Sequence, residues 1–422
     1  MNSLILVILA MIGYVLAYRF YGRFLGRKVF KLSAERLMPA HEFKDGVDFV
    51  AAKPNIIFGH HFTTIAGLGP IVGPAIGIIW GWLPAFLWVF FGSIFMGAVH
   101  DFSTLVVSGR SKGRSIGELT ADIISPTTRY ALQFIMQLLL FIVLAVFAMI
   151  VGSLFVSYPE AVIPVWAQIP VAVWLGWKIR QGKNELIWSI AALLMLYAFV
   201  LIGVRFPLSL PFSNEVSVVI WCIILFVYVF FASTIPVQKL LQPRDYINSH
   251  QLMVAMAFLI IGIFVAHPEF SAPAINGSAF KPGSDVPDLA PVLFIVIACG
   301  AISGFHSLAS SGTTVKQVDN EMHTLPIGYG AMLTESFLAV LVIVAAGAGL
   351  GMGLETNVGL LHGADAYRHH YASWSMASGL SAKLDAFIIG SANLFSSLGL
   401  PVKYGAAFVV VFIVSFANTT LD

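Results

Sequence analysis

At 422 residues the chain is long enough for about three ordinary domains of ~150 residues, but its composition excludes a water-soluble globule. Hydrophobic residues make up 58% and charged residues 10%, against ~45–50% and ~25% in soluble domains, and the mean hydropathy is +0.88. A net charge of +2 is too small to neutralise a phosphate backbone, which argues against a nucleic-acid partner.

The opening run, MNSLILVILAMIGYVLAY, passes straight into RFYGRFLGRK without a small-residue cleavage site, so it reads as an uncleaved first span. A bilayer core of ~30 Å takes ~20 apolar residues as a helix. Further such runs fall near 60–79, 83–108, 130–157, 161–177, 186–204, 216–236, 250–267, 290–312, 325–351, 385–399 and 402–421. The expectation is an all-α polytopic membrane protein of eleven or twelve spans, because inside lipid every backbone N–H and C=O must pair internally and no alternating strand pattern is present. It reads as a single transport domain over 1–422. The first span and a basic segment occupy 1–53, and the core occupies 54–422. The last residues, FANTTLD, stand directly behind an apolar run, which reads as the truncated form of a longer protein.

Nineteen of the 23 Lys and Arg residues fall in alternate connecting segments, 19–53, 109–129, 178–183, 237–248, 313–324 and 400–403, and the other segments carry only Arg205, Lys281, Arg368 and Lys383. By the positive-inside rule the nineteen mark the cytoplasmic side, and the N-terminus is expected outside. The basic residues of 19–36 would also attract anionic lipid headgroups, at ~1 kcal/mol each. The segments SGRSKGRSIGEL (108–119) and LLQPRDYINS (240–249) read as turns with Arg110, Arg114, Arg244 and Asp245 at the interface. Trp80, Trp82, Trp166, Trp174 and Trp177 lie near span ends and read as an interfacial belt. Cys222 and Cys299 sit in apolar runs; they support neither a disulfide framework nor a cysteine metal cluster and read as packing residues.

Two spans are rich in helix-breaking residues. In FGHHFTTIAGLGPIVGPAIGII (58–79), Pro70 and Pro74 deprive the carbonyls of Ala66 and Pro70 of their helical partners, and Gly67, Gly69 and Gly73 let the chain bend. In PVLFIVIACGAISGFHSLASSGTT (291–314), Gly300, Gly304 and Gly312 accompany Ser303, Ser307, Ser310, Ser311, Thr313 and Thr314, with Thr334 in the next helix. Freed backbone at membrane depth must face protein, water or a ligand. Paired Gly- or Pro-interrupted spans in the two halves of a chain point to a secondary transporter with its site between broken helices. There, half-helix N-termini hold a carboxylate and freed carbonyls a cation or ammonium. The substrate-site candidates are Gly67, Gly69, Gly73, Gly300, Ser303, Gly304, Ser310, Ser311 and Thr313.

Ionisable residues inside spans are functional candidates by default. His60, His61, His100, Asp101, His306 and Glu335 qualify, and His60, His61, Asp101, His306 and Glu335 are the candidates for proton coupling. No cofactor is required. A metal site, with zinc as the ion, is open at the pair His60–His61. Adjacent helical residues point ~100° apart, so such a site would need Asp45 and Asp48 folding back as oxygen ligands. A passive channel and a metal-dependent membrane hydrolase are the rival functions, the latter weakened by the lack of HExxH and G-x-S-x-G motifs.

Several blocks resemble the carbon starvation protein A (CstA) family: FGHHFTTIAGLGPIVGP (58–74), GAVHDF (97–102), GRSIGEL (113–119), PRDYINS (243–249), ACGAISGFHSLASSGTTVKQ (298–317), IGYGAMLTES (327–336) and FANTTLD (416–422). They run along nearly the whole chain in family order. The resemblance implies an inner-membrane, multi-pass nutrient transporter linked to carbon shortage, not an enzyme, with short peptides as substrates and pyruvate for some members. It also implies a fold like the amino acid–polyamine–organocation (APC, LeuT-like) inverted-repeat transporters. His60, His61, Gly67, Gly69, Gly73, Gly300, Ser303, Gly304, His306, Ser310, Ser311 and Thr313 match its motif positions. His100 stands where members commonly carry glutamine, and longer relatives continue beyond Asp422 with further helices. The expected function is proton-coupled uptake of short peptides, with pyruvate or another small carboxylate as the alternative; the expected partners are that solute, protons and the lipid bilayer.

Overall fold

The computed structural model describes residues 2–421. Among them, nine helices are long and apolar enough to cross a membrane, or ten when Pro54–Ala66 and Gly69–Trp80, bent by 44° at their junction, count as one span. The chain is a predominantly helical, multi-pass membrane protein. Two of the expected runs are not long continuous helices. Residues 290–312 break into Leu289–Val296, Ala298–Ile302 and Phe305–Gly312, and the run at 385–399 belongs to Leu380–Ser396, whose 17 residues stand at the lower end of the ~17–25 that a crossing takes.

Local chemistry sets the boundaries. Ser125 caps Pro126–Ser157 by accepting from the Thr128 N–H at 3.1 Å, and Pro126 stands where a helix needs no N–H donor. Asn184 caps Glu185–Arg205 through the N–H groups of Leu186 and Ile187. Of the two segments expected as turns, 108–119 does turn, at 111–115 between the helix that ends at Arg110 and Ile116–Ile123, which Ser115 caps. Segment 240–249 is helical instead: Arg244 and Asp245 lie inside Leu241–Ala266, both fully buried. These polar residues are satisfied by other helices rather than by interfacial water, so the helix runs through them.

Burial identifies the centre of the bundle. The most apolar stretch of Glu321–Met352 is 89% buried within the protein and that of Val402–Leu421 is 78% buried, against 22–44% for the other long helices. The central helices are therefore sheathed by lipid-facing ones. Segments 268–289 and 352–384 cover one end. The latter holds a small antiparallel hairpin, Leu354–Thr356 with Gly359–Leu361, paired Leu354 to Leu361, and the helices Gly363–His370 and Trp374–Ala377. Trp80 and Trp82 are buried rather than part of an interfacial belt. The Trp80 indole N–H donates to the Pro287 carbonyl at 2.9 Å and its ring meets that of Trp374, while Trp82 stacks on Phe270. The covering loops therefore remove both rings from the membrane boundary. At the opposite, basic end, Glu321 accepts from the Arg110 guanidinium at 2.7 Å, from Arg36 and from the Ser33 N–H, tying the first long helix to the central one.

Candidate functional site

Both spans expected to be kinked are broken, and they cross. The first breaks at Gly67, whose φ of +40° is one that L side chains rarely adopt, and Pro70 opens the second half. The second breaks at Ile297 and again at Ser303–Gly304, where Ser303 is extended. The spans touch at van der Waals distance. A Cβ built on Gly69 would fall 2.2 Å from the Cys299 sulfur, one on Gly73 2.3 Å from the Val296 carbonyl oxygen, and one on Gly77 2.4 Å from the Ile297 side chain. Glycine is required there by close approach. Beside this crossing lies a cavity of about 220 Å³ lined by Thr64, Gly67, Gly69, Cys299, Phe305 and Thr420.

Two buried polar clusters flank the crossing. In the first, the His306 Nδ1–H donates to Asp101 Oδ2 at 2.8 Å, and His306 Nε2 faces Glu335 Oε2 at 3.3 Å without the alignment of a hydrogen bond. The Cys299 thiol lies 3.8 Å from Glu335 Oε1. Asp101, His306 and Glu335 are wholly buried, and His306 Nε2 and Glu335 Oε2 have no hydrogen-bond partner among the described residues. His100, half-exposed, reaches Asp101 Oδ1 at 3.2 Å.

The second cluster centres on His60, whose Nδ1–H donates to Asp245 Oδ2 in a fully buried pair. The Thr63 hydroxyl donates to the Asp245 carbonyl at 3.0 Å, and the Thr64 hydroxyl approaches Asp245 Oδ2 at 3.3 Å. Next to Asp245, the Arg244 guanidinium donates to Gln168 Oε1 at 3.1 Å and to the Tyr228 hydroxyl at 2.7 Å. Gln168 bonds Asn248, which donates to Thr419 at 2.6 Å. The first broken span is thereby tied into four further helices.

The structure brings Gly67, Gly69, Gly73 and Gly300 to the crossing, and it brings Asp101 and His306 together with Glu335. It disperses others. Ser311 accepts from the Ile116 N–H at 3.1 Å and donates to the Ser307 carbonyl at 2.7 Å, and the Thr313 hydroxyl turns back to the Ala309 carbonyl at 3.1 Å. The Ser310 hydroxyl is buried with no hydrogen-bond partner among the described residues, Ser303 sits at the second break, and Gly304 has open space around it.

The expected grouping of His60 and His61 with Asp45 and Asp48 is not formed. His61 Nδ1 bonds the Thr314 hydroxyl at 2.9 Å while His60 turns to Asp245, as the helical angle between neighbours dictates. Asp45 lies in an exposed turn and accepts from the N–H groups of Val47, Asp48 and Phe49; those donors, Val47 foremost, hold its carboxyl below the ordinary value. A different group forms instead: Cys299, His306 and Glu335 have ligand atoms within 4.8 Å of one another. Sequence reasoning misplaces Asp245, setting it at the interface; the signal for its burial is a buried His60 in need of an acceptor. Cys299 packs, as expected, against Gly69 at the crossing.

The family described as carbon starvation protein CstA matches residues 2–422. The chain belongs to the carbon starvation protein CstA family. It is 36% identical over 353 residues to the peptide transporter CstA of Campylobacter jejuni, covering 82% of this chain and 50% of that protein. It is 37% identical over 354 residues to the peptide transporter CstA of Escherichia coli, covering 82% and 50%. It is also 37% identical over 357 residues to the pyruvate/proton symporter BtsT of Escherichia coli, covering 82% and 49%. The chain spans about half the length of these curated relatives. No solved structure matches it.

Proposed function

We propose that this CstA-family chain carries out secondary active uptake of a small carboxylate-bearing nutrient across the inner membrane, short peptides first and pyruvate as the alternative, coupled to protons and without enzymatic chemistry. The observation that carries the reading is the crossing of two broken helices at Gly69 and Cys299 beside a partly open cavity. Freed backbone groups are tolerated at membrane depth only where they meet protein or a solute, and half-helix ends at such a crossing favour a carboxylate at their N-termini. The names of the relatives, peptide transporter and pyruvate/proton symporter, support the same class of solute. The cavity volume of about 220 Å³ is below the ~300–1,000 Å³ of drug-sized sites, which favours solutes no larger than a dipeptide.

An inverted-repeat, APC-like architecture is part of this proposal. It is supported by each broken span being followed by a long helix interrupted by a π-turn, at Ser93–Gly97 in one and at Leu325–Gly330 and Ala345–Gly349 in the other. Alternating access would rock these halves about the crossing. The proton has a buried His–carboxylate pair available at His60 and Asp245, with His61 one residue on, and either partner can change charge when the pair separates. The test is uptake into proteoliposomes of labelled dipeptide or pyruvate under an imposed pH gradient, inside alkaline. Accumulation above the outside concentration that collapses with an uncoupler is expected. Equilibration that never exceeds the outside concentration would replace the carrier with a passive channel.

A further inference from the structure

We infer that Cys299, His306 and Glu335 form a zinc site that bridges the second helix break. This goes beyond the transport reading and does not depend on it. The three residues come from Ala298–Ile302, Phe305–Gly312 and Glu321–Met352, on both sides of the Ser303–Gly304 break and from the central helix. Their ligand atoms lie within 4.8 Å of one another. His306 Nε2 and Glu335 Oε2 are 3.3 Å apart, the edge of a tetrahedron whose metal–nitrogen and metal–oxygen bonds are ~2.0–2.1 Å. A thiolate, an imidazole and a carboxylate are a donor set that zinc accepts, with a fourth position left open.

Two independent features point to an ion. Both atoms facing the centre, His306 Nε2 and Glu335 Oε2, are buried and lack a hydrogen-bond partner among the described residues, a costly arrangement unless something binds there. On its other side, His306 donates Nδ1–H to Asp101 Oδ2 at 2.8 Å. With the ring neutral, this leaves the Nε2 lone pair directed at the site, the carboxylate–histidine–metal arrangement in which an outer acid fixes the ring. Charge agrees as well: a thiolate and a carboxylate neutralise a divalent ion, so the occupied inner sphere adds no net charge to the bilayer interior. Cys299 also lines the cavity at the crossing, so the bound ion sits between the solute space and the hinge. Occupied, the site pins the two pieces of the second span to Glu321–Met352 and restrains the opening of the break.

The experiment is cobalt and zinc binding to the purified full chain after chelation. Cobalt is expected to bind at about one ion per chain, with the visible bands of a tetrahedral site and a thiolate-to-cobalt charge-transfer band. Cys299→Ser should abolish the charge-transfer band, His306→Gln and Glu335→Gln should remove the tight ion, and Asp101→Asn should weaken affinity about 10–100-fold. Cys222→Ser and His60→Asn should leave the spectrum unchanged. Because a buried variant can fail to fold, a second measurement uses the intact site: in a Cys222→Ser background, zinc should slow maleimide labelling of Cys299. Folded protein that binds no ion tightly, a charge-transfer band that survives Cys299→Ser, or labelling indifferent to zinc would each overturn the site, leaving Asp101, His306 and Glu335 as proton-coupling candidates. Uptake is read separately, so metal binding without uptake sinks the transport reading alone, and uptake without metal binding sinks the site alone.

Discussion

The sulfur of Cys299 fills the space that a side chain on Gly69 would need, at 2.2 Å from the Cβ position. Four residues on, Gly73 meets the Val296 carbonyl oxygen at 2.3 Å in the same way. Neither contact can yield locally, because the Cys299 Cβ, also 2.2 Å from that position, is as fixed to its backbone as the Val296 carbonyl is, and neither moves without its helix.

Gly69→Ala and Gly73→Ala are therefore both expected to be damaging. Overpacking costs about 1–3 kcal/mol where neighbours can adjust, and both should fall at or above the top of that range with uptake lost, because each separates the spans at the crossing. Gly304→Ala, with nothing within 4 Å of the new methyl, should fold normally. Thermal unfolding in detergent together with uptake checks the order. Equal stability of Gly73→Ala and Gly304→Ala would mean that the crossing is not tightly packed.

Glu321 offers a second test at the basic end. Its side chain is 1% exposed, while its partners Arg36 and Arg110 are 39% and 32% exposed. Removing the charge in Glu321→Gln weakens two charge-assisted bonds to a buried acceptor, expected to cost about 1.5–3 kcal/mol. Arg36→Ala takes away one half-exposed partner and should cost only about 0.2–1 kcal/mol. Unfolding midpoints compared across the two variants decide it, and a larger effect for Arg36→Ala would contradict the geometry.

How far the sequence carries these features depends on the range of the cause. The break at Gly67–Pro70 is local: a proline without a donor and a glycine free to take φ +40° fix it within four residues, and so it is legible. Which residues share a cluster is not local. His306 meets Asp101 across 205 positions of chain and His60 meets Asp245 across 185, so only the fold pairs them. Hydropathy alone does not tell a continuous span from a broken one, since an apolar run with Ser303 and Gly304 in its middle has the right composition for a crossing but not a continuous helix. Arg244 and Asp245 are expected at the interface because charged pairs between apolar runs usually lie there. Their burial follows from Gln168, Tyr228 and His60, three partners on three other helices.

The covering loops carry a pH dependence whose sign is fixed by Asp285. The backbone N–H groups of Trp374 and Ser375, the latter at 3.2 Å from Oδ2, hold its carboxyl below the ordinary value of 3.8. A group with a depressed folded value contributes stability above its unfolded value and loses it as pH falls through the folded one. The link between 268–289 and 352–384 is thus expected to hold at neutral pH and to loosen only in acid, below the ordinary range of a carboxylate. Hydrogen exchange at the Ser375 amide should show a protection step in that window, absent in Asp285→Asn. Protection that rises on acidification would reverse the assignment.

The last prediction concerns His60 and Asp245, which share a hydrogen bond with both side chains fully buried. Asp245→Ala leaves the imidazole without its acceptor, and removing one partner of a buried pair costs about 3–5 kcal/mol when the other is charged. Asp245→Asn is the gentler probe, because its amide oxygen still accepts from His60 and the Thr63 hydroxyl bonds the backbone carbonyl of residue 245, which either substitution preserves. The Asn variant is therefore expected to fold and to bind solute while losing the ability to accumulate it against a gradient, since no charge remains to exchange with His60. Counterflow, in which labelled solute enters against unlabelled solute without a pH gradient, should survive in Asp245→Asn while pH-driven uptake falls at least about tenfold, or ~1.4 kcal/mol of lost coupling. Loss of both assays together would make Asp245 a structural residue, and retention of both would take the proton away from this pair.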